Sequence, residues 1–217
     1  MRISKSTLPL VAAVILAGPV LAQSAPPALP VTAEGGQLVL EAQEQKLTLP
    51  KPDWIETADA DWAELVSTRF NTVGNQSHLE IYPRGEGEAF WTTLYGARLT
   101  RMADPVLSDF RSVVIDVYAN SCRPEATAFF QLEPDDGDAL PPLGFVCGAY
   151  RDPAEADKGE VTIIAFLKSD AGVGMVYQGW RGDAFSPSDT STWPVSSSDV
   201  EQHVARFKSE ALLSRAD

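Results

Sequence analysis

The sequence GEVTIIAFLKSDAGVGMVYQGWR, residues 159–181, contains two strand-like segments joined by a short connection. In the first segment, alternate residues from Val161 onward are apolar and share one face, and Ile164 and Phe166 make the opposite face apolar as well. The connection SDAG at 169–172 consists of turn-forming residues, which favours a tight antiparallel hairpin. We therefore predict a central pair of antiparallel strands in which at least the first strand is covered on both faces.

Further strands are predicted on both sides of this hairpin in the sequence. They show the alternation of apolar and polar residues that is typical of half-buried strands. The segments are QLVLEA (37–42), KLTLP (46–50), SHLEIYPR (77–84), FWTTLYGARLT (90–100), ATAFFQL (126–132) and LGFVCGAY (143–150). DWAELVSTRF (61–70) is ambiguous, and we predict a short helix there although its β-branched residues favour a strand.

The clearest helix is predicted over DPVLSDFRSVVIDVYAN, residues 104–120. Asp104 suits the N-cap, Pro105 suits the first helical position and Asn120 suits a left-handed C-terminal position. Apolar residues recur at steps of three and four, which predicts one buried face. That face comprises Val106, Leu107, Phe110, Val113, Val114, Val117 and Tyr118.

A second helix is predicted near the C-terminus. Ser198 and Glu201 match a capping box. Its predicted buried stripe consists of Val200, Val204, Phe207, Ala211 and Leu212. Strands, a helix, more strands and a final helix together predict an α+β fold: a mostly antiparallel β-sheet flanked by helices.

The N-terminus resembles a secretory signal peptide over residues 1–22. Arg2 and Lys5 precede an apolar run, and a small-residue cleavage pattern ends at Ala22. We therefore expect a periplasmic or secreted bacterial protein with no membrane span after cleavage. A flexible leader rich in Pro, Ala and Gly is predicted over 23–36, followed by a single α+β domain over 37–217.

The chain has two cysteines, Cys122 and Cys147. Export to an oxidising compartment favours a disulfide between them. A reactive thiol would need a neighbouring base, and a structural zinc site normally has four ligands. The two histidines, His78 and His203, lie far from the cysteines in the sequence. We therefore prefer the disulfide, with thiol and metal chemistry as the alternatives.

The formal net charge is −13. An acidic surface repels nucleic acid and anionic lipid, since neither releases counterions to a protein of its own sign. The charge is most simply explained by solubility, and a basic partner is the alternative.

No residue pattern identifies a catalytic, metal or cofactor site. EPDDGD (133–138) lacks the spacing of a calcium loop, and RDPAEADKGE (151–160) is likewise interpreted as a solvated turn. His78 and Glu80 share a strand face with Tyr82, but no nucleophile accompanies them. The motifs of common hydrolases and nucleotide-binding proteins are also missing.

The candidate binding residues lie in YQGWRGDAF, near the end of the second hairpin strand. They are Tyr177, Trp180, Arg181 and Phe185. Aromatic residues and Arg are favoured at protein interfaces. Tyr177 and Trp180 would point to opposite faces of a strand, so a purely structural role in the core is the alternative.

Several motifs resemble exported bacterial proteins of the PsbP-like superfamily. They are KLTLPKPDW (46–54), LEIYPRGEGEAFWTTLYGARLT (79–100), FVCGAY (145–150), GEVTIIAFL (159–167), VYQGWRGDAF (176–185) and a terminal helix. The resemblance spans roughly residues 46–213. It implies an α/β sandwich and non-enzymatic work through protein contacts.

Two functions are therefore expected. The first is non-enzymatic binding of a protein or another envelope partner through a sheet edge or the loops around Trp180. The alternative is a small hydrolase or a small-ligand-binding protein, which requires a pocket between sheet and helix.

Overall fold

The computed structural model describes residues 29–55, 60–135 and 140–216. Within these ranges, eleven strands form two sheets and two α-helices are present. The strands are β1 (Val31–Glu34), β2 (Gln37–Ala42), β3 (Gln45–Pro50), β4 (Val66–Val73), β5 (Gln76–Pro83), β6 (Thr93–Arg101), β7 (Thr127–Gln131), β8 (Leu143–Cys147), β9 (Lys158–Ser169), β10 (Gly172–Asp183) and β11 (Leu212–Arg215). The helices are α1 (Leu107–Ser121) and α2 (Ser197–Glu210).

Seven strands form the large sheet, in the order β4-β5-β6-β10-β9-β8-β7. The predicted hairpin is confirmed: β9 and β10 pair along their whole length, from Gly172 opposite Ser169 to Asp183 opposite Lys158. On its other side β9 pairs with β8, and β10 pairs with β6, so both strands are central in the sheet. The remaining strands form the small sheet, in the order β1-β2-β3-β11, and every pairing in both sheets is antiparallel.

The two faces of the large sheet are covered differently. On one face, α1 packs against apolar residues of β8, β9 and β10, including Ile164 and Phe166. On the other face, the small sheet and α2 enclose the main core, where Val161 and Ile163 lie. This arrangement confirms that the first strand of the hairpin is covered on both sides and agrees with the predicted α+β class.

The ends of α1 differ from the prediction. Asp104 has a positive φ of 47° and lies outside the helix, so its carboxylate does not cap the first turn. The N-cap is Val106, which offers no side-chain hydrogen bond. Asn120 is still helical and donates its side-chain amide to the Asp116 carbonyl oxygen.

The N-cap of α2 lies two residues before the predicted one. Ser196, not Ser198, is the N-cap, and its hydroxyl accepts the Asp199 backbone N–H at 3.1 Å. Consecutive serines at 196–198 made the register ambiguous in the sequence. Leu212 was predicted in the buried stripe, but it belongs to β11 and is 65% exposed.

Residues 61–70 contain both of the structures that the sequence suggested. A 3-10 helix covers Ala60–Leu65, and β4 begins directly after it. The helix prediction is therefore wrong for 66–70, where pairing with β5 decides the conformation. In the leader predicted over 23–36, residues 31–34 form β1, so the fold begins before residue 37.

The predicted signal peptide lies outside the described residues. In 29–55, 60–135 and 140–216, no helix combines the length and apolar character needed to cross a membrane.

Candidate ligand-binding cleft

A disulfide joins Cys122 and Cys147, as predicted, with their Cα atoms 5.6 Å apart. Cys122 directly follows α1 and Cys147 ends β8, so the bond holds the C-terminal end of the helix near β8. Both cysteines are fully buried. The disulfide therefore helps to position α1 over one half of the large sheet.

One helix does not cover this whole face. A helix is about 10–12 Å across, whereas seven strands at about 4.8 Å spacing form a much wider surface. Because α1 packs over β8, β9 and β10, an open cleft of about 600 Å³ remains between the helix and the side chains of β5, β6 and β10.

Three valines form an exposed apolar wall of this cleft: Val106, which is the N-cap of α1, and Val113 and Val117 within the helix. Val106 is 53% exposed, Val113 is 60% exposed and Val117 is 63% exposed. All three were predicted to be buried, and that prediction is wrong. Leu107 and Val114 of the same predicted stripe do contact the sheet. The apolar stripe is wider than the sheet surface that it covers.

The floor of the cleft contains a polar group of side chains from β5, β6 and β10. They are His78, Glu80, Arg98 and Tyr177. His78 Nε2 and the Tyr177 hydroxyl share a hydrogen bond of 2.6 Å. His78 and Glu80 do lie on the face opposite Leu79, which is in the main core, as the alternation predicted.

Gly96 makes the contact between Tyr177 and His78 feasible. It lies on β6, between Tyr177 of β10 and Glu80 of β5 in the sheet register. A Cβ atom at this position would be 2.3 Å from the Tyr177 ring and 2.7 Å from the Leu79 carbonyl oxygen. The missing side chain therefore provides the space through which Tyr177 crosses β6 to reach His78.

The electrostatics favour a neutral His78–Tyr177 pair near pH 7. Burial lowers the pKa of His78, Arg98 and Arg69 lower it further, and Glu80 opposes them. Burial also raises the pKa of Tyr177 well above its usual value. The imidazole is therefore neutral and the phenol keeps its proton.

Glu80 is held by Tyr82 of its own strand and by Arg69 of β4. Its carboxylate accepts the Tyr82 hydroxyl at 2.9 Å and Arg69 Nη1 at 3.4 Å. Burial, followed by the hydrogen bond to Glu80, raises the pKa of Tyr82. Glu80 Oε1 is 3.8 Å from His78 Nε2. The contacts of His78 Nε2 are thus with a phenol and a carboxylate.

The four predicted binding residues do not form one surface. Tyr177 lines the cleft. Arg181 lies farther along β10, between the rings of Trp91 and Tyr150, and pairs with Glu155.

The other two predicted binding residues pack against the main core on the opposite face. Trp180 makes an edge-on contact with the His203 ring of α2, with centroids 5.1 Å apart. Phe185 follows β10 and packs beside Gly159. Of the four, the cleft thus includes Tyr177 alone.

The acidic segments form ordinary local contacts where the structure describes them. Asp135 pairs with Arg111, and residues 136–138 of the first segment lie outside the described residues. In the second segment, Asp152 accepts the Ala154 backbone N–H as the cap of a 3-10 helix. The described residues contain no group of His, Cys, Asp and Glu side chains arranged to hold a metal ion.

Sequence reasoning did not identify Arg98, Gly96 or the exposed valines as site residues. Arg98 and Gly96 share one face of β6 by simple alternation, which was the available signal. Which strands α1 covers depends on tertiary packing, and the sequence pattern carries no information about it.

No protein-family model matches the chain. No curated protein and no solved structure matches it significantly either.

Proposed function

We propose that the protein is a non-enzymatic binding protein of an oxidising, extracytoplasmic compartment, and that its cleft binds a small, largely apolar molecule. The observation that carries the proposal is the row of exposed valines facing an open cleft of about 600 Å³. Pockets for small molecules are typically 300–1,000 Å³ and mostly apolar, with a few polar groups. The disulfide supports export to such a compartment.

Burial of the valines would drive binding. Covering a fully exposed Val side chain contributes about 1.5–3 kcal/mol, so three half-exposed valines offer several kcal/mol before the costs of association. On the floor of the cleft, the His78–Tyr177 pair is uncharged, whereas Glu80 and Arg98 carry charges of opposite sign. Such a ligand would lie in the cleft, against the exposed valines of α1.

The test measures binding of N-phenyl-1-naphthylamine, an uncharged apolar fluorophore. We expect the wild type to enhance its fluorescence, and a Val113→Gln/Val117→Gln double variant to bind it at least about tenfold more weakly, because about 1.4 kcal/mol of lost burial corresponds to tenfold. Val73→Gln is the matched control, since Val73 is 74% exposed on β4 and outside the cleft. Absence of binding to the wild type, or equal binding by all three proteins, would contradict the proposal.

A protein or envelope partner is the second candidate. Phe90 is 64% exposed, beside the Trp91 ring on which Arg181 stacks, and an exposed aromatic side chain next to an Arg is typical of interface anchors. Recovery of partners from periplasmic extract by the wild type and by Phe90→Ser separates the candidates. Loss of a partner with unchanged fluorophore binding would favour this surface, and unchanged recovery would reject it.

A further inference from the structure

Arg98 is a positively charged side chain that lines the cleft beside three carboxylates, those of Glu80, Asp104 and Asp109. Its side chain lies on the floor, between His78 of β5 and Met175 of β10 in the sheet register, and is only partly exposed. In the described part of the chain, Arg98 makes no hydrogen bond and no ion pair. A half-buried cation without a partner has lost part of its hydration without compensation.

The other arginines with comparable burial are paired. Arg111 pairs with Asp135, Arg181 with Glu155 and Arg206 with Asp53. Each of these pairs gives a carboxylate partner to a guanidinium that packing has partly removed from water. Arg98 is buried to a similar degree but lines the cleft, and no carboxylate of the described residues pairs with it.

Tyr118 provides a second, independent observation. Its ring lines the cleft and packs edge-on against Phe145, with centroids 4.7 Å apart. Within the described residues its hydroxyl has no hydrogen-bond partner. The hydroxyl groups of the other tyrosines are all bonded: Tyr82 to Glu80, Tyr95 to the Pro50 carbonyl oxygen, Tyr150 to Glu160 and Tyr177 to His78. The Tyr118 hydroxyl is not fully buried, so it is open to a ligand in the cleft.

Arg98 and Tyr118 both line the cleft. Burial raises the pKa of Tyr118, and the positive charge of Arg98 acts against that rise. Arg98 acts on the pKa of Tyr177 in the same direction. One guanidinium and one phenolic hydroxyl therefore line the same cleft, and both are donors for an anion.

We infer that the molecule bound in the cleft is an amphipathic monocarboxylic acid, whose carboxylate pairs with Arg98 and accepts the Tyr118 hydroxyl while its apolar chain lies against Val106, Val113 and Val117. This inference rests on the proposed function. A single negative charge fits better than a phosphate, because Asp104, Asp109 and Glu80 also line the cleft, and they repel a dianion more strongly than a monoanion.

The test compares decanoate with 1-decanol, which has the same chain and no charge, as competitors that displace N-phenyl-1-naphthylamine. For the wild type we expect decanoate to displace the fluorophore at a concentration at least about tenfold lower than 1-decanol. Arg98→Gln should remove this preference and leave 1-decanol displacement unchanged. Tyr118→Phe should reduce it severalfold, since the ring remains and only the donor is lost. Arg84→Gln is the matched control, because Arg84 is exposed and outside the cleft.

The outcomes separate the two proposals. If the wild type binds the fluorophore but decanoate and 1-decanol displace it equally, or if Arg98→Gln retains the preference for decanoate, the carboxylate inference is wrong and the apolar cleft remains supported. If the folded wild type binds neither fluorophore nor competitor, both proposals fail. Circular dichroism spectra of every variant exclude loss of fold as the cause.

Discussion

His78 lies where a polar strand face meets the cleft, and its environment determines its protonation. Burial, with help from Arg98 and Arg69, lowers its pKa from the usual 6.5. We therefore expect the imidazole to titrate below pH 6.5 in the folded protein. Titration of the two histidine ring signals by NMR, with His78→Gln to assign them, measures this directly. A His78 midpoint at or above 6.5 would contradict the prediction.

The same shift affects stability, with a definite sign. When the folded pKa of a histidine is lowered, the unfolded chain binds more protons as the pH falls below 6.5. His78 therefore contributes stability above pH 6.5 that is lost as the pH falls through the folded pKa. The free energy of unfolding of His78→Gln, measured in urea, should fall less than that of the wild type over this acidic range.

Single residues also show the limits of the sequence prediction. The alternation in SHLEIYPR correctly placed His78 and Glu80 on one face and Leu79 and Ile81 in the core. Nothing local indicated that Tyr177 would reach His78, because this contact crosses β6 and depends on the missing side chain of Gly96. Contacts between strands that are distant in sequence require the strand order, which the sequence did not provide.

Among the elements, α1 shows most clearly what periodicity predicts. A repeat of three and four residues identified the helix, and Leu107 and Val114 are buried as expected. The repeat did not show that Val113 and Val117 remain exposed, because the buried width of a helix depends on the surface beneath it. The predicted N-caps were wrong for local reasons. Asp104 adopts a positive φ, and three consecutive serines each suited the N-cap of α2.

The disulfide connects two elements, since it holds the C-terminal end of α1 near β8. Closing a loop of 25 residues stabilises the folded state by about 3 kcal/mol in the chain-entropy model. A Cys122→Ala/Cys147→Ala variant should therefore unfold in urea with a free energy lower by about that amount. Reductant should lower the stability of the wild type similarly and leave the variant unchanged, which is the control. An intact mass that does not rise by two protons on reduction would show that the bond is absent.

At the scale of the whole molecule, the two sheets share one core. Leu38, Leu40, Leu47 and Leu49 of the small sheet pack in the same cluster as Leu79, Ile81, Leu99 and Ile163 of the large sheet. β11 strengthens this connection, because it pairs with β3 and places Leu213 directly over Gly174 of β10. A side chain at Gly174 would crowd Leu213, with atoms 3.2 Å from the new Cβ. The sheets should therefore unfold together.

Leu213 and its neighbour Leu212 test this cooperativity with one matched pair of substitutions. Leu213 is 7% exposed and Leu212 is 65% exposed on the same strand. Leu213→Ala should lower the free energy of unfolding by about 2–5 kcal/mol, because it leaves a cavity between the sheets. Leu212→Ala should change it by less than about 0.5 kcal/mol. Far-UV circular dichroism and tryptophan fluorescence should report one coincident urea transition in all three proteins. Two separate transitions in the Leu213→Ala variant would show that the small sheet unfolds independently and that the shared core does not couple the two sheets.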